Sequence, residues 1–329
     1  MHIVTGANGF IGSAFVRELN DHGITNILCT DSVPLHERSA PLKNKKFERF
    51  LSEKELLVWI RQESNMSKVK SIFHIGACSS TTEKNWDYLY QNNTLYTRTL
   101  FEAATQYKIP FFYASSGAVY GDGRLGFDDR TPPYDYKPLN LYGRSKWEFD
   151  CWALKQEKTP PQWFGFRYFN VYGPNEYHKD DMASVVFKAF HQIKKSGSLK
   201  LFRSHNKDYR DGEQLRDFVY VKDITRWMFE IFQSLDKNTG QFKSGIYNLG
   251  AGCARTWLDL ARSVFMELST PLNIDWIDVP ADIRNQYQYF TEAKMTNLWN
   301  QGLSEPKYQL EKGINDYIQN YLSNQNPYL

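Results

Sequence analysis

Tyr142 and Lys146 stand four residues apart in Leu141-Tyr142-Gly143-Arg144-Ser145-Lys146. On a helix that spacing projects both side chains from one face, about one turn apart. A free phenol, with a pKa of about 10, is a poor base at neutral pH. An ammonium group one turn away favours the phenolate and brings it toward use as a general base. Upstream, Ile109-Pro110-Phe111-Phe112 is an apolar run that reads as a buried strand and closes on Tyr113-Ala114-Ser115-Ser116. A serine there can hydrogen-bond a substrate hydroxyl whose proton Tyr142 removes. Tyr-x-x-x-Lys alone recurs by chance as an exposed helix pair. Here it follows a serine-ended strand and a glycine-rich N-terminus, and three motifs agree in order and spacing.

These groups need a scaffold, and the N-terminus supplies its first part. His2-Ile3-Val4-Thr5 is a short apolar strand running into Gly6-Ala7-Asn8-Gly9-Phe10-Ile11-Gly12, after which Ala14, Phe15 and Leu19 recur at helical spacing. Gly6 permits the tight turn, Gly9 the approach of a pyrophosphate to the backbone, and Gly12 close helix–strand packing. The following helix would offer its free N–H groups to the phosphates of a dinucleotide. A second strand, residues 26–30, ends at Asp31, 19 positions after Gly12, where an adenosine ribose is expected. Asp31 is also a plausible turn residue. As a ribose ligand it favours NAD; Arg38 in the next loop pulls toward a 2′-phosphate, so these residues leave the cofactor's phosphate state open.

A buried strand is expected over Ser71–Ala77, where Gly76 and Ala77 leave room for the cofactor and His74 reads as a satisfied core histidine. Asn92-Asn93 opens the next helical stretch, with an amide placed either to orient backbone near the nicotinamide or to fix packing. The Tyr142 helix should run to about Lys155 before Thr159-Pro160-Pro161. Residues 164–169 form a further strand, and Asn170-Val171-Tyr172-Gly173-Pro174 breaks the regular structure. The predicted fold class is therefore α/β: a Rossmann-type, doubly wound parallel sheet with a smaller mixed α/β substrate-binding domain. Residues 1–170 form the dinucleotide-binding part and 171–329 mainly the substrate-binding part, with segments near 215–250 returning to the first.

The second half carries no nucleotide motif and no repeat. His178 to Met182 reads as a polar loop before a helix from Ala183, with Asp180 or Asp181 as its cap. Residues 202–212 read as a long polar loop. Net charge is only +3, which makes no electrostatic case for nucleic acid. The four cysteines are scattered and the seven histidines lack ligand spacing, so no disulfide framework or metal site is expected. No stretch reaches membrane-span length and no signal segment is evident, so a cytoplasmic enzyme is expected.

With these motifs assembled, the chain resembles an extended short-chain dehydrogenase/reductase. The Arg167-Tyr168-Phe169-Asn170-Val171-Tyr172-Gly173-Pro174 stretch adds to that likeness. Residues 73–83, Lys137-Pro138-Leu139-Asn140, His178-Lys179 with Met182-Ala183-Ser184-Val185, and Tyr287-Gln288 before Phe290-Thr291 resemble the ADP-glycero-manno-heptose 6-epimerase family nearly end to end. The resemblance implies Tyr142 and Lys179 as two acid/base residues, Ser116 beside the reacting oxygen, and Lys146 on the nicotinamide ribose. It implies NADP contacts from Phe10, Ile11, Asp31, Ser32, Arg38, Ile75, Gly76, Ala77, Cys78, Ser79, Asn92, Val171 and Lys179. It implies substrate contacts from Ser79, Ser116, Asn170, Asp181, Lys188, Phe202, Arg203, Ser204, His205, Arg216 and Tyr287.

The chain departs from the family's pattern at several of these positions. Ile75 stands for a glutamate, Ser32 for an asparagine and Arg38 for a lysine. Glu53 adjoins Lys54 where one basic residue is expected, and residues 206–215 resemble an insertion.

The implied activity is inversion of C6″ of ADP-D-glycero-D-manno-heptose by transient oxidation with bound NADP, NAD being the alternative cofactor. The product would feed lipopolysaccharide core synthesis, and the enzyme would be a homo-oligomer, pentameric in the family. No nucleic-acid or membrane partner and no metal is implied. A UDP-hexose 4-epimerase needs only Tyr142 as base and is the nearest rival. A dehydratase is disfavoured because Ser115-Ser116-Gly117-Ala118 lacks its acidic residues, and a cofactor-sensing scaffold is the non-enzyme alternative.

Overall fold

Seven parallel strands carry the molecule: β1 (His2–Thr5), β2 (Ile27–Asp31), β3 (Arg49–Ser52), β4 (Ser71–His74), β5 (Phe111–Ser116), β6 (Trp163–Tyr168) and a late arrival at Gly245–Leu249. The computed structural model describes residues 1–236, 240–284 and 287–329. Because successive residues of a strand face opposite sides, two cores follow directly from adjacent apolar pairs. Val4, Phe73 and Phe112 pack on one face with Phe15, Leu19, Trp227 and Phe232. Ile3, Ile72 and Phe111 pack on the other with Leu100, Phe101 and Phe149. Burial on both faces explains why these strands read as continuous apolar runs rather than alternating ones.

Between β6 and the last strand of the sheet come β7 (Asn170–Tyr172), β8 (Leu199–Phe202) and β9 (Leu215–Tyr220), so the strand at Gly245–Leu249 is β10. β11 (Ala254–Thr256) and β12 (Ile274–Ile277) follow. The main sheet runs β10-β6-β5-β4-β1-β2-β3. Chain order reverses on either side of β1, which pairs with both β2 and β4. Such a switch point opens a crevice at the carboxyl ends of the strands.

Two smaller sheets, β11-β9-β7 and β12-β8, pack with helices Val185–Ser196, Trp257–Glu267 and Leu310–Tyr317 around a separate core containing Phe190, Tyr220, Phe265 and Ile314. Among the described residues no helix is long and apolar enough to cross a membrane.

Several local expectations change on inspection. Asn170–Tyr172, expected as a break, is a strand because β9 pairs with it in parallel register. The strand expected over 71–77 stops at His74, and the next three residues turn into the cleft. Ser184, not Asp180 or Asp181, caps the helix Val185–Ser196, its hydroxyl accepting from the Phe187 N–H. Asp180 instead sits in a tight turn at φ 44°. His74 is the satisfied core residue expected, bonded to Thr5 Oγ1 at 2.7 Å and Thr97 Oγ1 at 2.8 Å, with burial pushing its pKa down to about 3.

Candidate active site

The glycine turn after β1 positions one wall. A Cβ on Gly12 would lie 2.0 Å from Gly6 O, and one on Gly6 2.5 Å from Gly76 Cα. The loops after β1 and β4 therefore touch through bare backbone, and Thr5 Oγ1 accepts from Gly76 N–H at 3.1 Å. Gly12→Ala is expected to destabilise the fold by about 1–3 kcal/mol, the usual cost of overpacking, and to abolish dinucleotide binding. Urea denaturation and a cofactor titration check this; unchanged midpoint and affinity would show that the turn tolerates a side chain.

A cavity of about 670 Å³ opens above this turn. Gly6, Gly9, Phe10, Ile11 and Gly12 line it from β1; Asp31, Ser32 and Arg38 from β2; Ile75, Gly76, Ala77, Cys78 and Ser79 from β4. Asn92, Ser116, Tyr142, Lys146, Asn170, Val171 and Lys179 complete its predicted lining. The other predicted substrate contacts lie outside it. Lys188 Nζ donates to Asp181 O at 2.6 Å, and Arg203 is 3.7 Å from Asp278. Ser204 N–H donates to Asp211 Oδ1. Arg216 stacks 5.2 Å from the Tyr287 ring and 5.7 Å from that of Trp257, while Phe202 sits edge-on to Tyr287 and His205 tilts against it. Trp257 also lines the cavity, so this aromatic cluster adjoins it rather than lying apart.

Helix Leu141–Ala153 is capped by Asn140, whose Oδ1 accepts from Gly143 N–H at 2.7 Å, and it presents Tyr142 and Lys146 to the cleft. Lys146 Nζ donates to Ala114 O at 2.9 Å, and burial lowers its pKa to about 8. Burial raises the Tyr142 pKa, and a hydrogen bond with Ser116 offsets part of that rise. Ser116 Oγ also accepts from Ala118 N–H at 3.1 Å, which fixes its rotamer.

Lys179 approaches from the second half of the chain, its Nζ 5.6 Å from the centre of the Phe10 ring. Burial lowers its pKa and nearby Glu176 pulls it back. Glu176, which sequence reasoning missed, is 1% exposed and accepts from Ser184 N, Ser184 Oγ and Gly173 N. It thereby holds the loop that carries Lys179. No periodic or spacing signal marks a lone buried carboxylate in a loop. Also missed were His178, Tyr88, Phe218 and Trp257, all lining the cavity. Of the asparagine pair, Asn92 faces the cavity. Asn93 is the buried clamp, accepting from Cys78 N–H and donating to Cys78 O, both at 2.9 Å.

The residues fit a dinucleotide. The cradle excludes side chains where a pyrophosphate must approach, and among the described residues Arg38 Nε and His178 Nδ1 are buried polar atoms without a protein partner. The family model for the NAD dependent epimerase/dehydratase family matches residues 2–250. The chain belongs to that family. It is 42% identical to a Fusobacterium nucleatum relative named ADP-L-glycero-D-manno-heptose-6-epimerase, across 100% of both chains. A Nitratidesulfovibrio vulgaris relative of the same name is likewise 42% identical over 100% of both. Among solved structures, the Helicobacter pylori ADP-L-glycero-D-manno-heptose-6-epimerase superposes with TM-score 0.78 at 26% identity, covering 97% of this chain and 95% of that one. A Thermotoga maritima UDP-glucose 4-epimerase at 22% identity, TM-score 0.73 and 96% coverage of each shares the fold. The chain is thus a nicotinamide-dependent epimerase of the isomerase class.

Proposed function

We propose that this enzyme inverts C6″ of ADP-D-glycero-D-manno-heptose to give the L-glycero epimer, a cytoplasmic step toward the lipopolysaccharide core. The observation that carries this reading is the convergence of two proton-transfer groups, Tyr142 and Lys179, on one cavity from opposite halves of the chain. Full-length identity to relatives bearing that name supports it. A bound nicotinamide supplies transient oxidation of the carbinol and its re-reduction. The family resemblance implies NADP as that cofactor, whereas the carboxylate of Asp31 argues for NAD. Residues 1–170 would hold the dinucleotide and 171–329 mainly the sugar nucleotide, with Arg216, Tyr287 and Phe202 beside Trp257 forming the platform for its adenine and diphosphate.

The chain's own residues then divide the proton work. Tyr142 accepts or returns the proton of the C6″ hydroxyl in one configuration while Ser116 holds that oxygen. Lys179 does the same for the other configuration. Its lowered pKa favours the neutral amine that a base requires. Lys146 anchors on Ala114 O and keeps a cation beneath the site.

Lys179→Met is expected to lose the single-turnover absorbance change at 340 nm with one epimer and keep it with the other. Full turnover with both epimers would refute the division of roles. Parallel assays with ADP-heptose and UDP-galactose, read at C6″ and C4″ by NMR, test the function. Inversion of the UDP-hexose alone would favour the 4-epimerase reading.

A further inference from the structure

The corner of the cleft that meets the adenosine ribose holds one more charged group than the sequence motif accounts for. β2 and β3 are parallel neighbours whose ends are in register, Asp31 opposite Ser52. The next residue, Glu53, begins the helix Glu53–Trp59 and lines the cavity beside Asp31. Lys54 is exposed and does not line it. We propose that Glu53, acting with Asp31, selects the cofactor whose ribose carries a free 2′-hydroxyl, NAD, against its 2′-phosphorylated form, NADP. This rests on reading the cleft as the nicotinamide dinucleotide site.

The charges decide it. Four basic side chains line the cavity among the described residues: Arg38, Lys146, His178 and Lys179. Lys146 is engaged at Ala114 on β5, and Lys179 lies over Phe10. Burial, Arg38 and Lys179 keep His178 neutral, with a pKa of about 4. Of the four, Arg38 meets Asp31, its Nη2 3.4 Å from Asp31 Oδ1. Its Nε, unpartnered among the described residues, suits a phosphate. A 2′-phosphate would bring up to about two negative charges against two carboxylates and one guanidinium. Water is partly excluded at that corner, so the repulsion is poorly screened.

A hydroxyl meets the opposite situation, because it donates to a carboxylate. Asp31 already accepts from the N–H groups of Asn8 and Val33 at 3.0 Å each, which orients it. Among the described residues no protein group hydrogen-bonds the Glu53 side chain, leaving both its oxygens as acceptors. Burial and the Asp31 charge together raise the Glu53 pKa, as expected for two carboxylates sharing one corner.

The test is calorimetric titration of the full chain with NADH and with NADPH, after bound nucleotide has been removed and identified chromatographically. NADH should co-purify and bind at least about tenfold more tightly than NADPH, the scale of one close like-charge contact. Glu53→Lys should tighten NADPH by about tenfold or more and invert the preference. Glu53→Gln, nearly isosteric, should narrow the ratio even if the lysine variant misfolds. Wild-type protein that binds NADPH as tightly as NADH, or variants that leave the ratio unchanged, would overturn the proposal. No sugar nucleotide is present in these titrations. NADPH preference would therefore leave the C6″ reading standing, and failure to turn over ADP-heptose would leave the cofactor selection standing.

Discussion

Tyr142→Phe should lower turnover by about 10²–10⁴-fold, the usual worth of a positioned acid or base, while the protein still folds and still binds its nicotinamide cofactor. The substitution removes one oxygen and nothing else. The ring keeps its place on the capped helix, Gly143 and Lys146 stay buried, and Ser116 retains its bond from Ala118 N–H. What is lost is the hydroxyl that meets Ser116, the only route by which the phenol can pass a proton to an oxygen held by that serine. Stopped-flow absorbance and steady-state assays separate the outcomes. Wild-type turnover by the phenylalanine variant would remove Tyr142 from the chemistry, whatever the fold.

Asp150→Ala is expected to cost about 3–5 kcal/mol of stability, because it strands a buried cation. Asp150 and Arg167 are 0% and 1% exposed and lie 3.0 Å apart beneath the active site. The same carboxylate accepts from Ser115 Oγ and Tyr113 OH, each at 3.0 Å, so it ties β5 to helix Leu141–Ala153. Arg167 in turn donates from Nη1 to Tyr120 OH at 3.1 Å. Loss of the carboxylate leaves the guanidinium, a hydroxyl and a phenol unsatisfied together, and such networks fail by more than one bond's worth. Urea denaturation reads the effect. A shift below about 1 kcal/mol would mean that water replaces the carboxylate and that the pair is structurally minor.

Legibility in the sequence followed the range of the interactions. The Gly6–Gly12 turn and the Tyr142–Lys146 face are set by backbone sterics and helical pitch within a few residues, and both stand in the structure where local pattern placed them. The parallel sheet was legible because strands buried on both faces must be apolar throughout. β7 was not, since three residues before Gly173-Pro174 carry no strand pattern and only pairing with β9, about fifty residues later, makes them one. Trp257 and Phe218 reach the cavity from the separate core of the two smaller sheets, and no local signal connects them to Tyr142. The anchoring of Lys146 was not legible for a related reason. Spacing puts the amine on the right face, but the Ala114 carbonyl on β5 captures it. Glu53 and Lys54 show the same limit at single-residue scale: adjacent in sequence, one faces the cleft and the other solvent.

The account turns on oxidation and re-reduction at a single carbon, with Tyr142 and Lys179 handling only the hydroxyl proton. The most direct measurement uses ADP-D-glycero-D-manno-heptose bearing deuterium at C6″, incubated with the enzyme in ordinary water and followed by NMR. The account predicts a mixture of C6″ epimers with deuterium retained at that carbon in both. Epimers that have exchanged the label for solvent hydrogen, or a C6″ centre that never inverts, would contradict it.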